Sequence, residues 1–113
     1  MTTEDSNSAT RIRALNDAFR RSFVGGVVVI TAGIEAMPAD QRRAVLAKVR
    51  AFDVFSDDND PYHEHDFGTV EDRDAHFFWK INYYDEGMEL FSPDPADPTV
   101  TTRVLTVMLI DEY

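Results

Sequence analysis

Apolar positions recur along this chain with two periods and one unbroken run, and together they predict its elements. From Ser8 to Phe23, Ile12, Leu15, Phe19 and Phe23 recur at helical spacing, with Arg11, Asp17, Arg20 and Arg21 off that stripe. Gly25-Gly26 ends this helix. Residues 1–8 are polar and acidic and are expected to form a disordered tail, leaving one domain over residues 9–113. Val27-Val28-Val29-Ile30-Thr31 has no polar alternation and reads as a strand covered on both faces or central in a sheet. Pro38 and Asp40 suit a first helical turn, and Val45, Leu46, Val49 and Phe52 form that helix's buried stripe. Arg42, Arg43, Lys48 and Arg50 lie mostly off it, either as a solvated surface or as an anion-binding face.

The second half changes period. Asp66 to Glu71 is a short strand, Asp72-Arg73-Asp74 a turn, and Ala75 to Tyr84 a strand of period two. Phe77, Trp79, Ile81 and Tyr83 point to the core. His76, Phe78, Lys80, Asn82 and Tyr84 form a mixed opposite face, open to helices, a second subunit or water. Asp85-Glu86-Gly87 is a hairpin loop, and Met88 to Ser92 is expected to return as the third strand of the meander. In residues 99–112 two signals conflict. Asp97-Pro98 looks like a helix cap with a first-turn proline, and Val100, Val104, Leu105, Met108 and Leu109 fit a helical stripe. The β-branched content argues for a strand. The cap and the stripe favour a helix. The resulting order, α-β-α-β-β-β-α, predicts an α+β two-layer sandwich with a mainly antiparallel sheet and helices on one face.

Composition narrows the function. A chain of 113 residues with 43% hydrophobic and 12% aromatic residues has the makings of one packed core. It has no cysteine, which removes disulfides and thiol nucleophiles. No run is long and apolar enough for a membrane span, and no signal-peptide pattern opens the chain, so a cytoplasmic location is expected. The net charge is −10. Residues 1–52 hold eight basic and five acidic side chains, a balance of +3, whereas residues 53–113 hold three and sixteen, a balance of −13. Such a field repels nucleic acid and attracts a basic protein surface, including the groove of a DNA-binding protein.

The chemistry concentrates between helix-like and strand-like sequence, in Ser56-Asp57-Asp58-Asn59-Asp60-Pro61-Tyr62-His63-Glu64-His65-Asp66-Phe67-Gly68. Four readings fit it. His63, His65, His76 and Asp66, with Asp60, offer donors for zinc, manganese or iron, although the spacing matches neither a zinc-protease helix nor a calcium loop. Glu64 or Asp66 beside His65 could move a proton in metal-free catalysis, but no nucleophile elbow, P-loop or dinucleotide fingerprint accompanies them. Asp57, Asn59 and Asp60 could shape a turn, with Tyr62 and Phe67 anchoring the loop and His65 satisfying a backbone group. Lastly, Asp57, Asp58, Asn59, Asp60, Tyr62, Glu64 and Asp66, with Asp72, Asp85 and Glu86, could present carboxylates to a partner's Arg and Lys.

These residues also carry a resemblance. Ile12-Arg13-Ala14-Leu15-Asn16-Asp17-Ala18-Phe19-Arg20, Val29-Ile30-Thr31-Ala32-Gly33, Asp58-Asn59-Asp60-Pro61-Tyr62, Glu64-His65-Asp66-Phe67-Gly68, Phe78-Trp79-Lys80-Ile81, Tyr83-Tyr84-Asp85, Ser92-Pro93-Asp94-Pro95 and Thr102-Arg103-Val104-Leu105-Thr106 resemble a family of small alphaproteobacterial, often plasmid-borne proteins, a domain of unknown function. The resemblance implies no established activity. Its context implies an accessory role on mobile elements or in evading host defence. The family commonly has Gly where His63 stands, which points to His65, Glu64 and Asp66 over His63 as chemistry. The reading expected is a non-enzymatic, cofactor-free acidic module that binds a basic protein partner, neither nucleic acid nor membrane, with self-association left open. The alternative is a small metal-dependent enzyme using residues 60–66.

Overall fold

The computed structural model describes residues 3–113, with side chains described from Ser8 onward. Helix α1 spans Thr3–Ser22, strand β1 Val27–Ile30, the short helix α2 Ala32–Glu35 and helix α3 Ala39–Ala51. Strands β2, Phe67–Asp72, β3, Ala75–Tyr84, and β4, Thr102–Leu109, follow, with a 3-10 turn at Ile110–Glu112. Helix α1 therefore takes in most of the segment expected to be a tail, and residues 1 and 2 lie outside the described residues.

The fold is α+β, with one four-stranded sheet in the order β1-β4-β3-β2. Strands β2, β3 and β4 are antiparallel neighbours, while β1 joins β4 in parallel, Val27 opposite Val104. The alternation in β3 works as the period predicts. Phe77, Trp79 and Ile81 are buried in a core with Leu105 and Val107 of β4, Val45 and Val49 of α3, Phe19 of α1 and Ile34 of α2. Phe78, Lys80, Asn82 and Tyr84 form the opposite face, partly covered by the Tyr113 ring over Phe78 and Lys80.

Three expected elements differ. Strand β1 is neither central nor covered on both faces: it is an edge strand, with Val27 and Val29 each 40% exposed. Within residues 99–112, Thr102–Leu109 form a strand and Ile110–Glu112 a 3-10 turn, where a helix is expected. The Asp97 cap is real but closes only one turn: its Oδ1 accepts from the Thr99 N–H at 2.9 Å and hydroxyl at 2.6 Å. Beyond that turn the β-branched run pairs with strands on both sides, so ladder bonds and burial override the local cap. Met88 to Ser92 is not a strand: it folds back on the β2 flank of β3, where β2 takes the positions up to Lys80 and the Ile81 N–H already donates to the Asp66 carbonyl. The segment's contact with the sheet is a single bridge between Tyr84 and Phe91. The element order accordingly runs α-β-α-α-β-β-β, with the last expected helix replaced by a strand.

Backbone contact explains Gly68 at the start of β2. A Cβ there would lie 2.6 Å from Trp79 Nε1 and 2.8 Å from Phe52 Cζ, both held in the core. Gly68→Ala is expected to destabilise the protein by about 1–3 kcal/mol through overpacking, read as a lower urea midpoint with an unchanged slope.

Candidate functional site

The segment between α3 and β2 contains neither helix nor strand, so its backbone polar groups need other partners. Asn59 supplies several: its Oδ1 accepts from the Ser56 N–H at 2.8 Å and its Nδ2 donates to the Val54 carbonyl at 2.9 Å. Asp60 turns inward and accepts from the His65 N–H at 3.0 Å. His63 and His65 both take positive φ, 59° and 55°, which folds the chain tightly around Asp60. Asn59 and Asp60 therefore shape the loop, through bonds that reach three residues back and five residues on instead of the two residues on of an Asx turn.

Helix α1 meets this loop with polar side chains. Asp17 Oδ1 lies 2.9 Å from His65 Nδ1 and accepts from Arg20 at 3.0 Å. His65 Nε2 lies 3.5 Å from Asp60 Oδ2, which places the imidazole between two carboxylates. Its ring stacks on Phe55, with centroids 3.7 Å apart. Arg20 is fully buried, sandwiched against the Phe55 and Trp79 rings, and donates to the Phe52 carbonyl at 2.9 Å. Burial lowers its pKa, while Asp17 opposes that shift.

A second group lies one helical turn away. Asn16, wholly buried, donates to the Glu64 carbonyl at 2.9 Å and to the Tyr83 hydroxyl at 2.8 Å. Its Oδ1 accepts from Arg103 Nε at 2.8 Å, and the Tyr83 hydroxyl donates to Glu64 Oε1 at 2.8 Å. Arg103 also donates to the Pro95 carbonyl, which fixes the proline-rich loop. Burial drives the Tyr83 pKa upward, keeping the phenol neutral and able to donate. Asn16 and Arg20 sit among the most buried residues of α1. The apolar stripe could not reveal them, because it places polar side chains on the solvent side.

The candidate residues separate accordingly. Asp60 and Asp72 are buried, Glu64 and Asp66 are half-buried, and Asn59 is used by the loop. Asp57, Asp58, Tyr62 and Glu86 are exposed. Tyr62 therefore does not anchor the loop, and Phe67 packs on the other sheet face with Phe78. The anchoring rings are Phe52 and Phe55. Register also divides the set between two ends of the sheet. Phe67 of β2 faces Lys80 of β3, so the loop ending at Asp66 and the one holding Asp85 and Glu86 share an end. Asp72 lies at the other, where it pairs with Lys48 at 3.2 Å.

The metal and catalytic candidates divide too. His76 lies beside Glu71 at the Asp72 end, far along the strands from His65. Among the described residues no three His, Asp or Glu side chains are grouped to hold a metal ion. His63 and His65 border a cleft of about 180 Å³ with Phe55, Ser56, Asp57 and Asp60. Three of the four basic residues of α3 are engaged by backbone carbonyls, and only Arg43 stands exposed without such a contact among the described residues. Lys48 donates to the Glu71 carbonyl, Arg42 to the Glu35 carbonyl and Arg50 to the Arg21 carbonyl. Among the described residues no helix is long and apolar enough to cross a membrane.

Residues 30–112 match the model of a family described as "Protein of unknown function (DUF3768)". The chain belongs to this DUF3768 family. Comparison with curated proteins and with solved structures found no match. The DUF3768 match takes in the loop and strands β2 to β4, but only the last residue of β1 and none of α1, which supplies Asn16, Asp17 and Arg20 to the loop.

Two tests follow from this geometry. Asn16→Leu would strip partners from Arg103, Tyr83 and the Glu64 carbonyl together, and is expected to cost roughly 2–5 kcal/mol in chemical unfolding. Burial, and next the charge on Glu64, raise the Asp66 carboxyl above its ordinary value. The folded state thus keeps this proton to higher pH than the unfolded chain. Stability from this group falls as pH rises from the unfolded value through the folded one, and the loss persists above it. Asp66→Asn is expected to raise the urea midpoint at neutral pH, with the gain shrinking to nothing below the ordinary carboxylate range.

Proposed function

We propose that this DUF3768 protein is a non-enzymatic interaction module whose exposed carboxylates bind a basic protein, in particular one that itself binds nucleic acid. The observation that carries this reading is the division of the acidic motif. Asp60, Glu64 and His65 are taken up by contacts that fold the loop and hold it on β3 and α1, while Asp57 and Asp58 face solvent from the same loop. A fixed loop presents charge without the entropy cost of ordering it on contact. The −13 balance of residues 53–113 favours basic partners and disfavours direct contact with nucleic acid. No cofactor is needed. The resemblance to plasmid-borne proteins extends the proposal to a cytoplasmic accessory of mobile elements, acting against a host defence protein that grips DNA.

Neither Asp57 nor Asp58 is used inside the fold, so both can be changed without disturbing it. Proteins retained from the native host by the immobilised chain should be basic and should elute with rising salt. Asp57→Asn with Asp58→Asn should weaken binding of the purified partner about threefold to tenfold and leave the unfolding midpoint unchanged. Affinity that ignores both salt and this double change would refute the proposal.

A further inference from the structure

The segment Asp85–Ser92 carries the largest exposed apolar side chains beside an acidic cluster. Met88 is 48% exposed, Leu90 71% and Phe91 79%. Monomeric proteins seldom hold three such side chains outward in one short loop, since burying them would remove apolar surface from water. The loop is not a loose one. Asp85 N–H donates to the Leu90 carbonyl at 2.8 Å and the Met88 N–H to the Asp85 carbonyl at 3.0 Å. Asp85 Oδ1 accepts from the Glu89 N–H at 3.0 Å, and the Ser92 N–H donates to the Tyr83 carbonyl at 3.1 Å. Phe91 rests its ring nearly parallel to that of Tyr84, at 6.2 Å and 13°. With β2 and the Asp66 carbonyl filling the place beside β3 up to Ile81, the loop meets the sheet only at its end and stands out as a braced prong.

Charge complementarity selects the occupant. Glu86 and Glu89 are exposed within the prong, and Asp94 is exposed just beyond it. A second copy of this chain would bring the same acids against them, and an anionic lipid surface would be repelled likewise. We infer that Leu90 and Phe91 are the anchors of the docking surface, entering an apolar pocket on a partner protein whose rim is lined with Arg or Lys. This rests on the function proposed above and names the contact within it: aromatic and aliphatic anchors supply affinity, and the surrounding carboxylates supply steering and register. The prong lies at the end of the sheet that also carries the Asp57–Asp58 loop, because Tyr83, at the end of β3, bonds Glu64.

The test places a photo-crosslinking amino acid at position 91, and separately at Ile110 as an exposed control at the other end of the sheet, in cells that naturally make the protein. The partner trapped from position 91 is then purified and titrated against the full chain. Leu90→Ala and Phe91→Ala are each expected to weaken binding about tenfold or more, with unfolding midpoints unchanged. Glu86→Gln with Glu89→Gln should lower the salt dependence of the association. Adducts at position 91 to a second copy, to lipid, or no more abundant than at Ile110 would overturn the inference. So would affinity indifferent to Leu90→Ala, which serves if Phe91→Ala disturbs the loop. A partner bound salt-sensitively and weakened by the Asp57 and Asp58 changes, yet indifferent to Leu90 and Phe91, would leave the proposed function standing and remove the prong. Loss on Leu90→Ala with salt-indifferent binding would remove the basic rim and with it the inference as stated.

Discussion

One buried amide ties this molecule together. Asn16 reaches from α1 to the loop through the Glu64 carbonyl, to β3 through the Tyr83 hydroxyl and to β4 through Arg103. An apolar side chain there could pack, but it could not fix the helix to one position along the sheet. A set of directional bonds in a dry site can, since every mismatch leaves a buried group unpaired. Arg20, one turn on, repeats the logic with its guanidinium between aromatic rings and its donors on Asp17 and Phe52. The motif around Asp60 is then held by α1, and its exposed neighbours inherit that rigidity.

The basic side chains of the first half have a shared role that their balance of +3 conceals. Arg13, Arg20, Arg42, Lys48 and Arg50 each donate to a backbone carbonyl, and Arg103 does the same from β4. Those carbonyls belong to loops, strand ends and helix ends. Cationic donors with several N–H groups suit such places, because one side chain can satisfy a carbonyl and still be partly hydrated. The cations are thereby fixed as fastenings of the fold, while many of the acids remain outside it.

Much of the sheet was legible from the chain alone, and the reason is period. Phe77, Trp79, Ile81 and Tyr83 alternate too regularly to be anything but one face of a strand. The final segment misled because a local cap and a chance helical stripe agreed with each other, while the deciding contacts lay in β1 and β3. Leu90 and Phe91 misled for the converse reason: apolar residues after a hairpin loop imply burial, and only the pairing of β2 along the same edge of β3 shows that the place was taken. At the site, His65 was recognisable as unusual. Its partner Asp17 was not, since nothing in a helical pattern says that a carboxylate will face a loop almost fifty positions later.

The parallel pairing of β1 with β4 has a cost in time. Val27 meets Val104 across most of the chain, so this ladder closes a very long loop and cannot form until the ribosome has delivered β4. During synthesis Val27–Ile30 is a bare, uncharged, β-branched strand with both edges unsatisfied, the kind of segment that chaperones bind and that joins other nascent chains. Its brevity, four residues behind two glycines, is what keeps that interval tolerable.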